Sequence, residues 1–342
     1  MGWEARGEQG DDNRGIRGVG RLRGWKRTLC LVGLLCLVGL VAGTRPASGW
    51  SSAIAYIPDT ATNDVKVVDT GSDSVIATVP VGTSPFGVVV FPDGSRVYVT
   101  NFGDNTVSVF DAASFSVIAT VPVGIGPLGV CVSPDESTVF VLNNGDSTVS
   151  VISTATNTVE LTAPTGSAPA GCAVSLDGTT LFVTNEGDGT VSVLTASSSA
   201  TVPVGSAPIG VTLSPDGSRL YVANSGDNTV SVIDTTSGAE ATVSVGTKPE
   251  AVAVTPDGSR AYVTNNGDNT VSVIDAASLS VIATVAVGVA PIGVSVTPDG
   301  STVVVANSGD GTVSTIDTST NTVTATVTVG ASPSAFGTFT SP

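Results

Sequence analysis

Seven tandem copies of a unit of about 42 residues, with four short strands to a copy, predict an all-β fold: a seven-bladed β-propeller. Composition points the same way. Of 342 residues, 41% are hydrophobic but only 5% aromatic and 12% charged. Val, Thr and Ser abound while Leu, Lys and Glu are scarce, a balance that favours strands over helices. Gly and Pro, at 40 and 19, supply turns without reaching the level of a disordered chain.

The register of the repeat comes from the strand that carries its aromatic residue: Tyr56, Tyr98, Phe140, Phe182, Tyr221, Tyr262 and then Val304. These positions fall 39 to 42 residues apart and fill the chain from about Ser52 to Phe339. In the second copy, Gly87–Phe91 reads as a short apolar strand turned by Pro92-Asp93-Gly94. Arg96–Thr100 alternates around Tyr98, and Asn101–Asn105 is a Gly/Asn/Asp turn that tolerates positive φ. Thr106–Phe110 and Ser116–Val123 complete the unit. Each copy thus forms one four-stranded blade.

The ends of the repeat region predict how the ring closes. It begins with the second strand of a blade, Ala53–Ile57, and finishes with a lone first strand, Ser334–Phe339, after Val329, Gly330 and Pro333. The last strand is expected to complete the first blade, which hides edges that would otherwise invite association. The first copy is degenerate: Pro58–Asp64 stands where the others carry Asn-x-Gly-Asp.

The tetrapeptide Tyr-Val-Thr-Asn, at Tyr98–Asn101 and Tyr262–Asn265 and varied at Tyr221–Asn224, resembles the signature of the YVTN-repeat β-propeller family. The resemblance covers nearly all of residues 52–340. It implies a seven-bladed ring in an extracytoplasmic setting, similar to archaeal surface-layer and bacterial exported propellers and remotely to propeller lactonases. It implies no single activity, because propellers host many functions.

Residues 1–49 read as an N-terminal extension and signal peptide, and residues 50–342 as the propeller. Arg21, Arg23, Lys26 and Arg27 precede an apolar run from Leu29 to Ala42, shorter than the ~20 residues that span a bilayer. Cleavage after Gly43 or Gly49 would release a secreted, periplasmic or cell-surface protein; an uncleaved signal anchor is the alternative. Cys30 and Cys36 lie within the run. Cys131 and Cys172 lie in the repeats, where alignment sets Cys131 opposite Ala173 and Cys172 opposite Val130. They point to opposite faces of equivalent strands, so buried free thiols are expected rather than a disulfide.

The formal net charge is −16, and residues after position 49 hold 25 acidic and five basic residues. The five, Lys66, Arg96, Arg219, Lys248 and Arg260, are scattered, so neither nucleic acid nor an anionic membrane is an expected partner. An acidic monomer without a stable membrane span after cleavage is expected, with a protein or surface polymer as its partner. The chain has no histidine, which excludes an imidazole base and His-ligated metal or haem. It has no phosphate-binding Gly-x-x-x-x-Gly-Lys and no tryptophan after Trp50. No cofactor is expected.

Loops of the form Gly-x-x-Pro-x-Gly lead into each inner strand and ring the central mouth. The residue after proline is Phe86, Leu128, Ala170, Ile209, Glu250, Ile292 or Ser334. Mostly apolar, the ring reads as a greasy rim, and Glu250 with Lys248 two residues before it breaks the symmetry. Phe86, Leu128, Ile209, Lys248, Glu250, Ile292 and Ser334 are the candidate ligand contacts, with a rim ion pair as the plainer role for Glu250 and Lys248. A second ring, Asp104, Asp146, Asp188, Asp227, Asp268 and Asp310, reads as turn-forming carboxylates rather than calcium ligands. No catalytic or metal-binding residue is assigned. Near-identical repeats do not bring unlike groups to one point, so the expectation is a non-enzymatic exported binding scaffold. A lactonase-like hydrolase with a pocket at the mouth is the alternative.

Overall fold

The computed structural model describes residues 52–341, which form seven four-stranded antiparallel sheets. The N-terminal basic and apolar run, with Cys30 and Cys36, lies outside the described residues. Among those described, every regular element is a strand, and no helix is long and apolar enough to cross a membrane.

Blade two shows the common plan. Pro85–Val90 is innermost, followed outward by Arg96–Asn101, Thr106–Asp111 and Ser116–Pro122. The inner strand begins two residues earlier than the apolar pattern suggests, because Pro85 pairs with Asn101 ahead of a bulge that ends at Val88. Buried valines on both faces of each sheet fill the spaces between blades, and Tyr98, Tyr221 and Tyr262 are the largest fully buried side chains. The alternation that exposes one face of an ordinary sheet is therefore missing from the middle strands. Both faces of a blade meet a neighbour.

The inner strands lie very close together. Thr100 Oγ1 accepts the Gly87 N–H at 2.8 Å and donates to the Leu128 carbonyl of the next blade at 2.9 Å. Thr184 and Thr264 repeat this bridge to Ile209 and Ile292. At Gly129 a Cβ would stand 2.1 Å from the Ala170 carbonyl oxygen, which leaves room only for glycine.

The C-terminal segment completes blade one as its innermost strand, giving the spatial order Thr340–Ser341, Ile54–Asp59, Asp64–Asp69, Ser74–Pro80. The expected regular strand over Ser334–Phe339 is replaced by an irregular course, with only Thr340–Ser341 in a ladder. The reason is that this segment serves two blades. Ser334 N–H donates to the Pro58 carbonyl, whereas the carbonyls of Phe336 and Thr338 accept from Val88 and Val90 of blade two. Gly337, at φ +127°, allows the turn between these partners.

Cys131 and Cys172 form a disulfide, with their Cα atoms 6.0 Å apart. The expectation of free thiols fails for a geometric reason. Cys131 pairs with Phe140 and Cys172 with Val183, so the two do occupy opposite faces of equivalent strands. Blades pack face to face, however, and the forward face of one meets the backward face of the next. Opposite parity on successive inner strands brings the two sulfurs together.

Candidate active site

The loops that end each blade are pinned by the hairpin of the next. Asn101 Oδ1 accepts the Gly82 N–H at 3.0 Å, and its Nδ2 donates to Thr106 Oγ1 and Ser108 Oγ at 2.9 Å each. Asp104 accepts the N–H of Thr83, and Asp146, Asp188, Asp227, Asp268 and Asp310 make the equivalent bond to their own loops. The backbone amide of Thr83 holds the exposed Asp104 carboxyl below its ordinary range, as that of Thr247 does for Asp268. These carboxylates are occupied in holding the loops that shape the mouth.

That framework sets the residue after each proline at the start of an inner strand. Phe86, Ile209 and Ile292 are half-buried and pack in one cluster with Phe336, whose ring centroid lies 6.1 Å from that of Phe86. Leu128 is half-buried in the same ring of positions. Ser334 belongs elsewhere: it is buried, and its hydroxyl bonds to the Phe86 carbonyl within the closing joint.

Glu250 is the exception in this apolar ring. It is half-buried, and its pKa is pushed up to about 7, first by burial and then by the negative charge of Glu186, with Lys248 opposing. Lys248 is exposed in a left-handed conformation (φ 52°), its N–H bonded to Asn228 Oδ1 at 2.9 Å. Glu250 and Lys248 form no contact ion pair; among the described residues the salt bridge within 4.0 Å is Lys66–Asp64. The rim ion pair expected from their spacing is thus replaced by a half-buried acid with a cation at longer range.

Glu186 is a site residue that the sequence reading missed. It occupies the position after the turn asparagine, where the other blades carry Phe102, Asn144, Ser225, Asn266 and Ser308. Asn144 and Asn266 show where this position reaches, since their Nδ2 groups bond to the carbonyls of Pro169 and Pro291 in the following blades. The signal was present: Glu186 is the one charged residue in that ring.

A cavity of about 560 Å3 opens at the other end of the inner strands, among the Pro-Asp-Gly-type turns. Val130, the Cys131–Cys172 disulfide, Val211, Thr212 and Ser295 help to line it, and none of the seven candidate contacts does. Phe336 touches both the cavity and the apolar floor of the mouth. The cavity lining carries no charged side chain, so it has neither an acid nor a base to offer.

The family model described as "Lactonase, 7-bladed beta-propeller" matches residues 87–240 and 178–335, which together span most of the repeats. The chain belongs to this lactonase family. Its fold is similar to hydrazine synthase from Kuenenia stuttgartiensis (24% identity, TM-score 0.71, covering 77% of this chain and 92% of that one). It is also similar to a putative 6-phosphogluconolactonase from Bacteroides uniformis (18%, 0.72, 83% and 98%). A functionally unknown protein from Desulfotomaculum acetoxidans shares the fold as well (16%, 0.74, 83% and 98%). No curated protein matches in sequence.

Membership of the lactonase family overturns the expectation of a non-enzymatic scaffold. Near-perfect repetition was its ground, and repetition holds for the framework residues that build the loops. It does not hold at three loop positions, where Glu186, Lys248 and Glu250 are unlike their counterparts. The alternative reading, a lactonase-like hydrolase, is the one that the family favours.

Proposed function

We propose that the chain hydrolyses a lactone at the loop mouth, with Glu250 as general base. The observation that carries this reading is a single half-buried carboxyl in a ring of seven equivalent positions, five of them apolar. A base works best when its pKa lies near the working pH, and burial together with Glu186 pushes Glu250 to about 7. In its ionised form it takes a proton from water as the water oxygen bonds to the lactone carbonyl carbon. Lys248 is the nearby cation that favours the resulting oxyanion. Collapse of the tetrahedral intermediate breaks the ring C–O bond, and Glu250 returns its proton to the departing alkoxide, giving a hydroxy acid. The Cys131–Cys172 bond supports export to an oxidising compartment, where such bonds persist.

The test is ring opening by the purified protein across γ- and δ-lactones, compared with Glu250→Gln. Loss of at least a hundredfold in kcat/KM with the all-β circular dichroism spectrum retained is expected. Unchanged turnover in the variant would remove Glu250 from the mechanism.

A further inference from the structure

The mouth and the five cations of the body together define what sort of lactone could enter. Arg96, Arg219 and Arg260 stand at the start of their strands, beside the Pro-Asp-Gly turns and away from the mouth. Each guanidinium donates to a backbone carbonyl of the next blade: Thr154, Ala276 and Thr318 respectively. Lys66 is paired with Asp64 at 2.8 Å. Among the described residues this leaves Lys248 as the cation free to meet a ligand at the mouth. Glu250 senses both Lys248 and the charge of Glu186, and the six turn aspartates stand on loops around the mouth. A phosphate recognised at such a mouth would have no guanidinium fork and a surplus of negative neighbours.

Apolar side chains stand on the same loops, Val289 of blade seven among them. Glu250 belongs to the sixth blade, and blades two and three lie across the ring from it. There Phe86 and Leu128 occupy the rim, and Phe102 and Ile125 stand outside them, 44% and 58% exposed. Phe102 lies against Gly126, where an added Cβ would meet its ring edge at 3.1 Å. Ile125 covers Gly145 in the same way. Large apolar side chains exposed side by side at an open mouth have a cost in water that a ligand can relieve.

We propose that the mouth accepts an uncharged lactone bearing an apolar substituent and rejects phosphorylated lactones. The ring carbonyl would sit at Glu250, with the substituent crossing the Phe336 floor toward Leu128 and Phe102. This rests on the hydrolytic reading above but concerns recognition, which can be measured separately.

Two measurements test it. In hydrolysis, kcat/KM for γ-lactones should rise about three- to fourfold per added methylene until the chain spans the mouth. Glucono-δ-lactone 6-phosphate should fall at least tenfold below its unphosphorylated parent, with the gap narrowing in salt. The double variant Phe102→Ser with Ile125→Ser should flatten the chain-length series. In binding, unreactive 5-alkyl-pyrrolidinones titrated by calorimetry should show the same dependence on chain length. Lactam binding without turnover of any lactone would refute the hydrolase and leave the recognition intact. A preference for the phosphorylated lactone, or a flat series in both assays, would overturn the inference.

Discussion

The carboxylate of Asp59 accepts the Ala331 N–H at 2.7 Å, joining two points 272 residues apart in the chain. It also accepts from Ser332 and Ala61, and it stands where other blades carry their turn asparagine. Burial alone would raise its pKa, but the N–H groups of Ala331, Ala61 and Ser332 outweigh it and hold the carboxyl below its ordinary 3.8. Asp59→Ala leaves these amides without their acceptor and should cost roughly 3 kcal/mol in urea unfolding. Because the folded pKa is depressed, the contribution is complete above pH 3.8 and is lost as pH falls through the lower folded value. Asp59→Asn should therefore lose stability at neutral pH and show a shallower decline in acid. Deleting residues 331–342 removes the same joint and should reduce solubility as well as stability.

The Cys131–Cys172 bond closes a loop of 41 residues across two blades. Chain-entropy reasoning gives it a contribution of about 4 kcal/mol. The double variant Cys131→Ser with Cys172→Ser should melt lower than the parent, and treatment with reductant should lower the parent to match. Thiol alkylation under denaturing, non-reducing conditions should leave residues 131 and 172 unlabelled. Labelling of both would mean that the blades are held by packing alone.

Blade number, strand order and the role of the C-terminal segment were legible because they depend on period and turn chemistry, which repeat seven times. What escaped depends on how one blade meets another. The parity of Cys131 and Cys172 was read correctly within each strand and misjudged across the interface. The irregular path of Ser334–Phe339 arises from bonds to Val88 and Val90, partners more than 200 residues away. Glu250 stood out against its ring, but its burial and the charge of Glu186 that acts on it come only with the assembled blades. Glu186 was overlooked because the turn position after asparagine reads as loop until the fold brings its charge within reach of Glu250.

Close approach of inner strands makes its own prediction. Gly129→Ala would drive a Cβ to 2.1 Å from the Ala170 carbonyl oxygen, and backbone cannot yield as a side-chain tip can. The expected cost is roughly 2 kcal/mol or more. Gly238→Ala is the informative comparison, since nothing lies within 4 Å of the added carbon there and the penalty arises from its φ of +71° alone. A larger drop in denaturant midpoint at position 129 would establish packing, rather than dihedral strain, as what fixes that glycine.

The pH behaviour of Glu250 separates its catalytic from its structural effect. As a general base it must be ionised, so kcat/KM for a neutral lactone should rise through about pH 7 and then level off. Removing the charge of Glu186 with Glu186→Gln should shift this limb to lower pH, because a negative neighbour no longer opposes ionisation. Stability moves the other way. The folded pKa of about 7 exceeds the ordinary 4.5, so between these values the folded state holds a proton that the unfolded state has released. Whatever stability accompanies the protonated carboxyl is complete below pH 4.5 and is lost as pH rises through 7. Glu250→Gln, which mimics the neutral acid, should therefore melt like the parent at pH 4 and above it at pH 8. A variant less stable than the parent at pH 8 would mean that the ionised carboxylate is favourably paired in the fold, and the raised pKa on which the general-base role depends would be wrong.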